Sequence, residues 1–399
     1  MPDYQAWHLD PMDTWFFREA KPFDTLGAPE LASQFPPPAA TVSGALKTLI
    51  GRQKGIDWRQ FRPRNNPDAA VNPDYARLAQ LKLCGPFLSL DGQVLFPVPA
   101  FLLYQASLGY RRLVIGKTPV ETDLGKVRLP ELPADCRNQG FKPLDNAWIT
   151  LDGLNALLAG DLPDSSAIKM AKELYSPESR LGIGRDNQTG CVKAEDRLLY
   201  QTCHIRPRDG VGLMAGIAGV DADLKPEAIR LGGEGRLSLM AATGQALELP
   251  ARPQANAQTS GLILLLLTPA DLDSCWRLPG CKAQCPDDRW NDENKTWRLT
   301  LQGVELNVQS AILGKPRREG GWHLAERKPR RVEGLVPAGS AWFCTVDNMP
   351  LQQAIEALHL AQIGDGQPMG RGLLAVGLWS EVLPPDPSPG YGRGESMPE

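Results

Sequence analysis

The stretch Leu351–Trp379, LQQAIEALHLAQIGDGQPMGRGLLAVGLW, constrains the fold more than any other part of the sequence. Leu351, Ala354, Ile355, Leu358 and Ala361 recur at helical spacing, which predicts an amphipathic helix over 351–362. Asp347 and Asn348 are good capping residues, and Pro350 suits a helix start. GDGQPMGRG follows, with four glycines in nine residues, and then the apolar LLAVGLW, a buried strand over 373–379. Dinucleotide folds and P-loops run strand, glycine loop, helix, so that a helix N-terminus meets the phosphate. Here the loop follows a helix C-terminus, the wrong end of the dipole for an anion. A nucleotide cofactor is therefore not indicated. Gly364, Gly366, Gly370 and Gly372 could instead bring bare main chain, with Arg371, up to a polyanion. The competing reading is a C-cap and tight turn.

At 399 residues the chain has length for two or three domains with real cores. A hydrophobic content of 42% and a charged content of 22% describe a soluble globular protein. The net charge is −3, so a polyanion site has to be a local patch. The first residues, MPDYQAWHLDPMDTW, show no signal-peptide pattern, and the longest apolar run, 262–267, is too short to span a bilayer. A cytoplasmic protein whose eight cysteines are thiols is expected.

A strand at 4–9 is followed by a turn-rich aromatic segment, and TVSGALKTLIG predicts a helix over 43–51 with Lys47 outward. Arg52 opens a polar, basic run. Asp91-Gly92 sits between two apolar runs as a hairpin turn. Residues 52–195 read mostly as an insertion, including a turn-rich excursion around Arg180 and Arg185. Strands at 198–206 and 211–220, a short helix at 225–231, the glycine loop LGGEGR and a strand at 237–241 follow. Helix, glycine loop, strand thus occurs twice. Gly232, Gly233, Gly235 and Arg236 mirror the later loop. After a polar linker at 251–260 come a strand at 261–268, a short helix at 269–276, strands at 303–312 and 341–346, and the opening stretch. Each half reads β-α-β-β-α-β, so the expected fold is α+β with two ferredoxin-like domains, 1–250 and 261–399. Helices on one face of such a sheet leave the other free, as in RNA-recognition modules.

The segment 315–331, KPRREGGWHLAERKPRR, carries seven Lys or Arg against two Glu, with Trp322 in its middle. Lys315, Arg317, Arg318 and Trp322 suit phosphate contacts and base stacking; the competing reading is a solvated loop. Cys275, Cys281 and Cys285 have a looser spacing than zinc sites favour, so free thiols are preferred to a metal. Of four histidines, His8 and His204 lie in expected strands and His359 on an exposed helix position. No carboxylate pair marks a metal-dependent nuclease, so no catalysis is the default.

Taken in order, LDPMDTWFFREAKPF, PPPAATVSGALKTLIG, CGPFLSLDGQVLFPVPA, ESRLGIGRDNQTG, RLGGEGR, VPAGSAWF and IGDGQPMGRG resemble the third-subunit family of the Cmr complex, the type III-B CRISPR effector, within the RAMP superfamily. The resemblance implies a non-catalytic, cofactor-free subunit that holds the 5′ repeat-derived handle of the CRISPR RNA. It implies docking on the polymerase-like large subunit and on backbone RAMP subunits, with target RNA met only near the 5′ end of the guide. By position it implies an RNA role for Lys47, for the loop from Gly364 to Gly372, and for the excursion bearing Arg180 and Arg185. The rival expectations are a metal-independent RAMP endoribonuclease using His8 or His204, and a scaffold without RNA contact.

Overall fold

The computed structural model describes residues 3–20, 30–58, 73–122, 125–183, 189, 191, 199–219, 224–273, 276–281, 297–323 and 328–381. The fold is mixed α/β, with mostly antiparallel sheets and few helices. An eight-stranded sheet runs Ile168–Met170, Ala147–Thr150, Gln93–Pro97, Lys82–Leu90, Val211–Ala218, Gln5–Pro11, Leu237–Ala246, Glu227–Arg230. A five-stranded sheet runs Trp297–Leu301, Val304–Ile312, Ala341–Val346, Gly261–Leu266, Leu374–Trp379. In both sheets the strand earliest in the chain lies between two later ones and antiparallel to each: Gln5–Pro11 between Val211–Ala218 and Leu237–Ala246, and Gly261–Leu266 between Ala341–Val346 and Leu374–Trp379.

Period-two patterning explains the second sheet's first strand. Leu262, Leu264 and Leu266 face a core shared with Ala354, Ile355 and Leu358 of the Leu351–Leu358 helix. Ile263 and Leu265 face the opposite way, into a core with Phe87, Phe96 and Met214 of the first sheet. The strand reads as one apolar run because both its faces are covered. The expectation of a free face is thereby corrected: the faces left open by the helices pack against each other, with Leu154, Leu157 and Leu158 of the Leu151–Ala159 helix between. Gly377 makes room for this, since a Cβ there would meet Leu158 at 3.1 Å. The first sheet's other face buries Trp7, Leu9 and Leu213 against Val42, Leu46 and Leu49 of the Ala39–Gln53 helix.

The Asp91-Gly92 turn forms as expected, with φ of 49° and 80°, and joins two paired strands of the first sheet. Other expectations fail for identifiable reasons. The helix expected at 43–51 starts at Ala39, directly after N-cap Pro38, where two alanines of high helix propensity form its first positions. Within the expected insertion 52–195, residues 82–90, 93–97, 147–150 and 168–170 are strands of the first sheet. Strand 199–207 does not pair with 211–218 across PRDG; it pairs with Tyr175–Ile183 as a long hairpin standing outside the main sheet. The helix expected at 225–231 is the edge strand Glu227–Arg230, whose Ile229 is buried while Ala228 and Arg230 are exposed. Its glycine-rich segment is a hairpin turn. In the described part of 269–276, Ala270 is bridged to Val336 rather than helical. The last helix stops at Leu358, four residues early, where the His359 side chain is drawn into the core.

Candidate nucleic-acid interface

Most of both glycine segments is packed against the protein's own atoms. Gly370 has a φ of 100°, and a Cβ on it would lie 2.2 Å from the Gly85 carbonyl oxygen of the first sheet. Gly372, at 74°, has the Ile363 carbonyl in the same place. These are conformations and distances that only glycine accepts, and they seat the loop on protein. Its amides are used internally: Gly370 N–H donates to Gln367 O at 2.9 Å and Gly372 N–H to Pro269 O at 3.0 Å. Gly364 and Gly366 are closed in by Asp271 O and the Arg371 side chain. In the earlier segment, Gly233 N–H donates to Phe16 O at 2.8 Å, and Gly232 lies on Phe16 O and the Phe17 ring. Gly235 alone faces open space at its Cα.

Arg371 is 6% exposed and acts as a strut. It donates to Glu319 Oε2 at 2.9 Å and to Glu333 Oε2 at 2.8 Å. Glu319 is itself buried and also pairs with Arg317 at 3.0 Å. Arg317 donates onward to the Pro36 carbonyl. Arg371 and Arg317, expected as phosphate ligands, both have their guanidiniums paired with carboxylates. Arg236 and Arg180 are also paired with carboxylates. Asp13 accepts from Arg180 at 2.8 Å, Arg206 at 2.9 Å and Arg236 at 3.0 Å, and Glu178 binds Arg180 and Arg206. Hydrogen bonds from Arg180, then Arg206, hold the Asp13 carboxyl down to about 2. Sequence reasoning missed Asp13 and Arg206, since the two acids of DPMDTW form no motif.

His204 sits behind this network, 1% exposed, with Nδ1 3.1 Å from Thr14 Oγ1 and Nε2 3.1 Å from Thr202 Oγ1. Burial, with Arg236 and Arg180 nearby, pushes its pKa down to about 4. His8 lies 3.8 Å from Asp10. His359 is not exposed, as expected from its helix, but 5% exposed: its Nδ1 accepts from Val376 N–H, so Nε2 donates to Pro250 O.

The basic segment keeps the best ligand-facing character. It is not a loop but a twisted hairpin, pairing Arg317–Glu319 with Glu333–Leu335 and Trp322–His323 with Lys328–Pro329. Residues 324–327 lie outside the described residues. Lys315, Arg318, Arg330 and Arg331 are exposed and have no carboxylate partner among the described residues, and Trp322 is 48% exposed. Lys47 is half-buried on the Ala39–Gln53 helix, and burial lowers its pKa. Arg52 pairs with Glu227 at 2.8 Å. Arg185, Cys275 and Cys285 lie outside the described residues; Cys281 packs against the second sheet's core, and no metal-ligand cluster occurs among the described residues. No described helix is long and apolar enough to cross a membrane.

The family model for CRISPR-associated protein (Cas_Cmr3) matches residues 7–379. Comparison with curated proteins gives no match. Among solved structures, the chain is similar to one in the Type III-B Cmr-beta complex bound to cognate target RNA and AMPPnP. The identity is 14%, the TM-score 0.45, and the match covers 85% of this chain and 86% of that one. It is also similar to a chain of the Csm3-Csm4 subcomplex of a type III-A interference complex, at 11% identity and TM-score 0.35, covering 86% and 93%. With the family match running over nearly its whole length, the chain belongs to the Cas_Cmr3 family and is a type III-B CRISPR effector subunit.

Proposed function

We propose that this subunit holds the 5′ handle of the CRISPR RNA without cutting it, and bridges the polymerase-like large subunit to the backbone subunits. Both sheets are variants of a ferredoxin-like plan in this reading, the first having an edge strand in place of its second helix. The observation that carries the RNA role is the basic hairpin, where Arg318, Arg330 and Arg331 stand exposed beside exposed Trp322. Uncommitted guanidiniums take phosphates, and an exposed indole stacks a splayed base. The non-catalytic reading is supported by His204, a neutral ring closed off by two hydroxyls, which is poorly suited to exchange protons with an RNA strand.

Anisotropy titration of the effector subunit with handle RNA tests this. Arg318→Ala, Arg330→Ala and Arg331→Ala together should weaken binding at least tenfold and flatten the log-log salt slope by about 2, three lost single-strand phosphate contacts. An unchanged affinity and slope would refute the assignment. Repeat RNA cleaved by the purified chain without metal would instead establish the endoribonuclease.

A further inference from the structure

The basic hairpin leaves the second sheet on a short root and then reaches across to the first half of the chain. At the root, Gly314 N–H donates to Ser340 Oγ at 3.1 Å, and Ala270 is bridged to Val336. Further out, Glu319 and Glu333 stand directly opposite each other in the register, a like-charge pair that pushes the strands apart unless it is neutralised. Arg371 lies between them and comes from the same half of the chain. Arg317 has a different reach. Its guanidinium pairs with Glu319 at 3.0 Å and also donates to the Pro36 carbonyl, which belongs to the first half. The Arg317 side chain is 16% exposed, so this crossing is made largely out of water.

The acceptor is rigidly held. Phe35, next to Pro36, stacks on Trp15 with ring centroids 5.7 Å apart and meets Tyr175 edge-on at 4.8 Å. The Ala39–Gln53 helix follows directly after the proline run. A second contact supports the same crossing, because a Cβ on Gly320 would lie 3.1 Å from the Ala20 Cβ. A guanidinium fork can hold a carboxylate and a carbonyl at once, which the point charge of a lysine does not match. Cations already held in one orientation bind without first being ordered, and each long side chain that has to be immobilised on binding costs affinity.

We propose that Arg317 is a positioning residue for RNA: it fixes the basic hairpin against the first half of the chain, so that Arg318, Arg330 and Arg331 are presented in one orientation, and it touches no phosphate itself. The inference rests on the RNA reading of the hairpin and adds what holds that site in place.

Arg317→Met tests this, since it keeps the apolar stem and leaves Glu319 paired with Arg371. In the full-length chain, handle-RNA affinity should fall about tenfold while the log-log salt slope stays at the wild-type value, because orientation is lost and no phosphate contact is. Amide hydrogen exchange over 317–319 and 333–335 should quicken. Arg317→Lys should not restore the affinity. Affinity within about twofold of wild type, unchanged exchange, full rescue by lysine, or a slope flatter by about 0.7, the share of one single-strand phosphate contact, each overturns the proposal. Gly320→Val keeps every charge but pushes the hairpin off Ala20, so it should show the same loss at the same slope; it decides the matter should Arg317→Met fail to fold, and wild-type binding by it overturns the proposal. If the triple hairpin variant loses RNA while Arg317→Met binds normally, the RNA reading stands and the positioning role falls. If the triple variant keeps its RNA, the RNA reading falls first and takes the positioning role with it.

Discussion

Arg371 separates a strut from a phosphate ligand, because the two roles predict opposite readouts. Arg371→Ala strands Glu319, which is 3% exposed, and releases Glu333, whose side chain is 43% exposed. Removing one partner of a buried pair costs about 3–5 kcal/mol. Arg317 remains 3.0 Å from Glu319, and the half-exposed Glu333 contributes at most about 1 kcal/mol, so the low end, about 3–4 kcal/mol, is expected. At ~2.1 cal/mol/K per residue, unfolding 399 residues as one unit carries ~0.8 kcal/mol/K, giving a Tm drop of about 4–5 °C. Urea unfolding followed by tryptophan fluorescence reads the same loss directly. Adding Glu319→Gln removes the stranded charge and should restore about half of it. Handle-RNA affinity, measured at a temperature where the variant is folded, should stay within twofold. A variant within 0.5 kcal/mol of wild type that nevertheless loses RNA would refute the strut and return the glycine loop to the ligand.

The chain should lose stability on acidification. His204 has a folded pKa of about 4 against about 6.5 unfolded, so its contribution is complete above pH 6.5 and lost as the pH falls towards 4. That amounts to about 2 kcal/mol at pH 5. Burial lowers His359 as well, with the same sign, and a flat profile in urea midpoints from pH 7.5 to 5 would contradict both assignments. Gly370→Ala adds a left-handed alanine and a contact with Gly85 O, and should cost about 3 kcal/mol; a melting curve like wild type would show that the loop is not wedged there. Trp322→Ala should weaken handle RNA by about 1–3 kcal/mol without moving the Tm, and a Tm loss instead would mark the indole as structural. Lys47→Met removes a desolvated ammonium and should leave stability unchanged or raised; weaker RNA binding in that variant would restore the RNA role that the family resemblance implies.

Much of the fold was legible locally. Asp91-Gly92 marks its hairpin because its two residues tolerate positive φ, and the Leu351–Leu358 helix shows in its period. The candidate site was legible only as composition: the excess of cations at 315–331 stood in the sequence, but which of them are free did not. Arg317, Arg318 and Arg371 are the same residue type, yet Glu319 takes two of them and leaves Arg318 exposed. Glycine misled for a related reason. Missing side chains at 364–372 and 232–235 mean close approach, and the sequence cannot say whether RNA or the protein's own carbonyls approach.

The amino-acid sequence by itself determined the family, the strand and helix segments with strong periodicity, and the existence of one strongly basic segment, because each is written in neighbouring residues. Tertiary structure alone decided that residues 82–97 and 147–150 complete the first sheet, that the two sheets bury each other's faces, and that four expected RNA-facing arginines are held by Asp13, Glu178, Glu319 and Glu333. Most of those outcomes join residues far apart in the chain, and for the buried Arg371 an opposite charge is the cheapest partner available.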